Sequence, residues 1–278
     1  MTVKIVTDST CDLPREVIEE LDITVVPCYI NFPEKSYLDG VDITRQEFYK
    51  KLPDYDPPPT TSAPALGTFM QIYKDLAEKG ATAVLSIHIS SLLSGIHNVA
   101  LLASEAMEKV VVKTFDAGQL SLGTGLIVEA VARSARAGES LENLVNLAKD
   151  VASRTFTFAA IDTLKYLQRS GRVSHLKASL GSLLQLKPIL QMHQAKVEMG
   201  IARTLNGSME HLLKKLKAIG PLEKLSLVHT NAPDRAAQFL SIALPSIPKS
   251  ERVYSMDVTP VLGAHLGPGA FGFVAVIE

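Results

Sequence analysis

Residues 83–107 put the tightest constraint on the fold. Ala83-Val84-Leu85-Ser86-Ile87 is an apolar run of the length of a buried strand. Ile89-Ser90-Ser91-Leu92-Leu93-Ser94-Gly95-Ile96 follows as a hydroxyl-rich loop, and residues 97–107 have the pattern of a helix. Strand, polar loop and helix in this order predict a unit of a parallel sheet. The first helical turn leaves N–H groups free, and the helix dipole favours negative charge there. The serines add hydrogen-bonding hydroxyls, and Gly95 lets a ligand oxygen approach. The loop is therefore expected to hold an anion, although Ser90, Ser91 and Ser94 are also ordinary helix caps.

The same alternation runs through the first half. Lys4-Ile5-Val6-Thr7-Asp8 reads as a strand, Ser9 to Pro14 as a turn, and residues 15–21 as a helix. Residues 23–30 read as one extended segment. Thr44 with Glu47 three positions on predicts a capping box for the helix over 45–50. Thr61 and Ser62 precede an amphipathic helix over 65–79 that Gly80 closes. Residues 110–115 are a further strand, followed by an Asp116 loop and a helix over 123–135. Ligands of such sheets gather beyond the carboxyl ends of the strands. Asp8/Ser9, Ser91/Ser94 and Asp116 stand at those ends, and Thr61/Ser62 stand at a helix start that points the same way.

After a connecting helix over 141–154 the rhythm changes. Strands are expected over 155–160, 188–192, 196–199, 225–229, 252–257 and 271–277, with helices over 176–186, 209–219 and 234–244 between them. The fold class expected is α/β with two domains. Residues 1–153 form a parallel sheet flanked by helices, and residues 154–278 form an α+β domain with a mixed sheet.

Composition removes several function classes. The 278 residues carry a net charge of −1, which argues against nucleic acid as a partner. No apolar run has the length of a membrane span. The N-terminus enters a strand at once, without the pattern of a signal peptide. Cys11 and Cys28 have no metal-ligand spacing and read as free thiols of a cytoplasmic protein. His88, His97, His193 and His229 show no zinc spacing, and Asp39 with Asp42 is too small a set for a metal site.

His265 is the sharpest single signal, because Gly263, Gly267, Pro268 and Gly269 surround it in what reads as a glycine-rich loop. Gly171-Arg172 is the second, either as a ligand or partner contact or as a cation answering a helix end. Asp8, Asp12 and Asp116 are turn residues or carboxylates with a chemical role. Ser94, His265 and Asp116 include the residue types of a hydrolase triad, but Ser94 is not in a Gly-x-Ser-x-Gly elbow. A serine-type hydrolase and a binder of small anions such as sugar phosphates therefore stay open.

Seven motifs stand in order along the chain. They are Thr7-Asp8-Ser9-Thr10-Cys11-Asp12-Leu13, Asp39-Gly40-Val41-Asp42-Ile43-Thr44, Thr61-Ser62-Ala63-Pro64, the 89–95 loop, Tyr166 to Arg172, Leu186-Lys187-Pro188-Ile189-Leu190, and Pro260 to Gly269. Together they resemble the DegV family, bacterial fatty-acid-binding proteins that serve a fatty acid kinase in phospholipid metabolism. The resemblance implies a long-chain fatty acid lying between two α/β domains, no cofactor and no metal. It also implies no catalysis by this chain alone, since a partner kinase phosphorylates the bound carboxylate. Thr61, Ser94 and His265 would hold that carboxylate, with Ser62 and the backbone of Gly95 as neighbours. Arg172 would lie near the head group or on the kinase-docking face, and membrane contact would be transient. Two positions depart from the family pattern. Ile96 stands where a threonine is usual, and Ser170 interrupts the usual Lys-Gly-Gly-Arg as Arg169-Ser170-Gly171-Arg172.

Overall fold

The computed structural model describes residues 2–172, 186–247 and 252–278. In chain order the first part contains β1 (Val3–Asp8), α1 (Arg15–Glu20), β2 (Thr24–Val26), β3 (Tyr29–Asn31), β4 (Ser36–Leu38), α2 (Arg45–Lys51) and β5 (Thr60–Ser62). Next come α3 (Leu66–Glu78), β6 (Ala83–His88), α4 (Ile96–Glu105), β7 (Val111–Asp116), α5 (Leu122–Arg136) and α6 (Leu141–Arg154). The later part contains β8 (Thr155–Ala160), α7 (Lys165–Arg169), β9 (Lys187–His193), β10 (Lys196–Ala202), α8 (Leu205–Ala218) and β11 (Leu222–His229). It closes with α9 (Pro233–Ala243), β12 (Ser255–Asp257), α10 (Pro260–Leu266) and β13 (Phe271–Ile277).

Strands β2-β1-β6-β7 form a four-stranded sheet, parallel throughout. Its inner strand β6 is buried at every position, as a strand covered on both faces must be. Strands β10-β9-β8-β13-β11-β12 form a six-stranded mixed sheet, antiparallel except for the β11–β12 pair. The α/β class, with a parallel sheet first and a mixed sheet second, is as expected.

Alternation along β13 shows how the layers stack. Phe271, Phe273 and Ala275 pack with Leu212 and Leu216 of α8 and with Phe239 of α9. Val274 and Val276, on the opposite face, join the core built on the first sheet with α5 and α6. The mixed sheet is thus covered on both faces, and its inner face belongs to the larger core.

A third sheet, β4-β3-β5, is antiparallel and was not expected. The extended segment over 23–30 is two strands. Pro27 has no N–H for a ladder, and the N–H of Cys28 donates to the Ser9 hydroxyl at 3.2 Å. The chain leaves the first sheet there and starts the small one. The Thr44–Glu47 capping box is present in full. The helix expected over 176–186 lies, up to residue 185, outside the described residues.

Candidate functional site

The loop after β6 is shaped by its own serines and by its neighbours. The N–H of Ser90 donates to the carbonyl of Gln119 at 2.9 Å, and the Ser90 carbonyl accepts from Leu93 and Ser94. Asp116, at the end of β7, accepts from the N–H of Ser91 at 3.1 Å and of Gly118 at 2.8 Å. Ser94 leans toward the helix start, where its hydroxyl accepts weakly from the N–H of Ile96 at 3.4 Å. Gly95 is the N-cap of α4.

On the other side of the loop a buried chain of polar groups fixes its entry. Asp8, at the end of β1, lies 2.9 Å from Nδ1 of His88, whose Nε2 lies 2.7 Å from the Ser86 hydroxyl. The Tyr73 hydroxyl donates to Ser86 at 2.9 Å. The Asp8 carboxylate also accepts from Thr10 and, at 3.3 Å, from the N–H of Ile89. Burial alone would raise Asp8. Its bond to His88, the His88 charge and the Thr10 bonds outweigh that and hold it below the usual carboxylate range.

Beside this loop lies a cavity lined by the loops that follow β1 and β6, by strands of the mixed sheet and by α10. Ile89, Leu93 and Ile96 come from the loop and the start of α4. Thr157 and Ala159 on β8, and Leu190 and Met192 on β9, present alternate side chains to it. Val261, Leu262 and Leu266 of α10 cover it. Polar groups on its wall are Thr10, Thr61, Ser94, Thr157, Arg172 and His265. A second, more polar cavity shares Thr61, Arg172 and His265 and adds Thr60, Tyr166 and Arg169. A third, apolar one shares Leu120, Thr157, Ala159 and Leu266 and reaches Val228 and Phe271. The three polar residues therefore stand at the junction with the polar cavity, and hydrocarbon lines the path away from them.

Of the residues named from the sequence, Thr61, Ser94, Arg172 and His265 meet on this cavity. Nε2 of His265 and Oγ1 of Thr61 are 2.9 Å apart. Burial first, and then the charge of Arg172, push the His265 imidazole down to about 4, so it is neutral near pH 7. Its Nδ1 is buried without a hydrogen-bond partner among the described residues. Arg172 donates to the carbonyl of Ser170 at 2.7 Å. Ser62 is not on the cavity wall, and its hydroxyl accepts from Asn31 at 3.2 Å. Gly95 contributes position at the helix start rather than wall.

Three local expectations change. Thr61 and Ser62 lie on β5, not at a helix start. His265 lies in the last turn of α10, not in a loop. The hydrolase triad is not assembled, because Nε2 of His265 is beside Thr61 and the Asp116 carboxylate is taken by Ser91 and Gly118. Asp39 and Asp42 do not converge on one point either. Asp39 accepts from Ser9 at 2.6 Å, and Asp42 accepts from the N–H of Leu38 at 2.8 Å. Sequence reasoning missed Thr10 and Thr157. The signal for Thr157 was its two-residue spacing from Ala159 on one strand face.

Fold and site together define a class, an α/β protein with an apolar cavity bounded at one end by hydroxyl, imidazole and guanidinium groups. Residues 2–278 match the family described as "Uncharacterised protein, DegV family", and the chain belongs to the DegV family. A DegV domain-containing protein of Listeria innocua is 33% identical over 284 residues, covering 99% of each chain. The structure of a DegV family protein from Thermus thermophilus, described for its fatty acid binding, is 32% identical with a TM-score of 0.88 over 100% of both chains. DegV of Bacillus subtilis, described as a fatty acid binding protein, is 27% identical with a TM-score of 0.89 over 100% of both chains. No helix among the described residues is long and apolar enough to cross a membrane.

Proposed function

We propose that this chain binds one long-chain fatty acid and presents its carboxylate to a fatty acid kinase for acyl-phosphate formation, without catalysing that step itself. The observation that carries the reading is the pairing of two chemistries in one cavity. Thr61, His265 and Arg172 stand at the polar junction, Ser94 is on the wall of the same cavity, and mostly aliphatic side chains line the rest of it. A carboxylate taken out of water needs charge-assisted hydrogen bonds, worth about 1.5–3 kcal/mol each. Burial of the tail contributes about 0.8 kcal/mol per CH2. Relatives of the same fold from Thermus thermophilus and Bacillus subtilis, both described as binding fatty acids, support the ligand class.

In this reading Thr61, Ser94 and His265 hold the head group, with Ser62 and the backbone of Gly95 close by. Arg172 faces the head group or the docking kinase. The acyl chain lies between an N-terminal domain, residues 1–153, and a C-terminal domain, residues 154–278. No cofactor or metal takes part, and the protein works in the cytoplasm with at most transient membrane contact.

The test is reconstitution with the kinase and ATP. Wild-type protein loaded with palmitate is expected to yield acyl phosphate, and Thr61→Ala, Ser94→Ala and His265→Ala to yield much less. Equal yields from all four proteins would remove the site assignment. Ester turnover by the isolated chain would favour the hydrolase reading instead.

A further inference from the structure

Two of the acidic motifs have no part in holding a carboxylate, yet both reach the start of α10. Thr259 is the N-cap of α10 and is 1% exposed. Its hydroxyl does not cap its own helix but donates to Oδ2 of Asp39. Its N–H donates to Oδ1 of Asp12 at 2.9 Å. Arg45 of α2 sits 3.1 Å from the same Asp12 oxygen and donates to the carbonyl of Asp257. Tyr49, also on α2, donates to the carbonyl of Val258 at 2.8 Å.

These contacts close a ring. Asp39 directly follows β4, β4 pairs with β3, and β3 pairs with β5 in a register that sets Ile30 opposite Thr61. From Asp39 the ring passes through Thr259 and along seven-residue α10, about 10 Å at 1.5 Å per residue. It ends at His265 and returns to Thr61. One small sheet therefore grips both ends of one short helix. We infer that Asp39 is a positioning residue, holding α10 through Thr259 so that the His265 ring stays within reach of Thr61 and of a bound head group. The inference rests on the fatty-acid reading for its ligand but not for its geometry.

Burial raises Asp39 above its ordinary value, and the hydroxyls of Ser9 and Thr259 and the charge of Arg45 draw it back. A buried carboxylate accepting two hydroxyls makes stronger hydrogen bonds than a neutral acceptor would. Both hydroxyls, from Ser9 and Thr259, are directed at Oδ2 of Asp39. Pro260 at the first position of this short helix has no N–H, so the bonds from Thr259 add to those that Arg45 and Tyr49 make to the preceding carbonyls.

Thr259→Val keeps the shape and the N–H bond to Asp12 while removing the bond to Asp39, and Asp39→Asn weakens the same bond from the other side. Thr259→Ser keeps it. His265 is followed by NMR titration in delipidated protein, and the affinities for palmitate and hexadecanol are compared. Thr259→Val and Asp39→Asn are expected to raise the His265 titration toward its ordinary value. They should weaken palmitate about tenfold, the equivalent of one good hydrogen bond, and leave hexadecanol within about twofold. Thr259→Ser should behave as wild type. An unchanged His265 titration in folded variants would overturn the inference, and so would equal losses for both lipids. Loss of the fold in both variants would overturn it too, by making the contact structural. Failure of wild-type protein to bind palmitate would instead remove the fatty-acid reading, and the titration would still decide the positioning.

Discussion

Nε2 of His265 and Oγ1 of Thr61 lie 2.9 Å apart although 204 positions separate them in the chain. One comes from a three-residue strand near the start and the other from a seven-residue helix near the end. Neither element has any role in the two large sheets. Their meeting places a hydrogen-bonded hydroxyl and imidazole with Arg172 at the polar junction of a cavity that Ser94 also lines.

That pair should dominate head-group affinity. On the proposed reading, Thr61→Val or His265→Ala would remove one hydrogen bond to a desolvated carboxylate, worth about 1.5–3 kcal/mol. Palmitate affinity is expected to fall by about tenfold to a hundredfold. Calorimetric or displacement titration checks this. An unchanged dissociation constant would place the carboxylate elsewhere.

Two buried groups tilt the pH dependence of stability in opposite directions. His265 is lowered to about 4 from 6.5, so between those values the unfolded chain holds more protons than the folded one. Its contribution is intact above 6.5 and is lost as pH falls toward 4. Burial raises Asp12 to about 6 from 3.8, against the pull of Arg45, so its contribution is lost as pH rises through that window. Denaturation at intervals from about pH 4 to about pH 7 separates the two. Asp12→Asn should steepen the loss of stability on acidification, and His265→Gln should remove it. Parallel profiles for all three proteins would contradict both assignments.

The Asp8–His88 pair is fully buried. Truncating His88 to Ala leaves an uncompensated carboxylate, which costs about 3–5 kcal/mol in comparable cases. Urea denaturation is expected to show a loss of that size. The Asp8 oxygen that His88 fixes also accepts from the N–H of Ile89, so losing His88 should loosen the serine loop, visible as faster amide exchange over 89–95. A loss below about 1 kcal/mol would mean that the pair is no more than an ordinary exposed ion pair in strength.

Two glycines give opposite expectations. Gly272 on β13 faces β8, and a Cβ there would collide with the backbone of Phe158 and Ala159. Gly272→Ala should destabilise by about 3 kcal/mol or more, since backbone cannot yield as a side chain can. Gly67 is the second residue of α3, with open space around its missing Cβ. Gly67→Ala should stabilise through helix propensity, by at most the roughly 0.5–1 kcal/mol of a helix interior. Thermal melts of both variants decide the matter, and equal shifts would contradict it.

Much of this arrangement was legible from residues alone. The strand ends at Asp8, His88 and Asp116 follow from apolar runs that stop at polar residues. The serine loop, the capping box of α2 and the closure of α3 near Gly80 follow from local chemistry. The third sheet was not legible, because strands of three residues carry too little alternation to register. The helix around His265 was hidden by its glycines. Gly263 is there for close packing, since a Cβ would strike the Tyr49 ring, and Gly267 ends the helix with φ +73°. Both look like loop residues in a sequence. The 176–186 segment, expected as an apolar helix, falls outside the described residues up to 185.

Native mass spectrometry of freshly purified protein, followed by acid extraction and lipid analysis, decides whether the cavity holds a fatty acid. One fatty acid per chain is expected, or stoichiometric uptake when palmitate is added to delipidated protein. A protein that carries no lipid and takes up none when palmitate is supplied would contradict the fatty-acid reading.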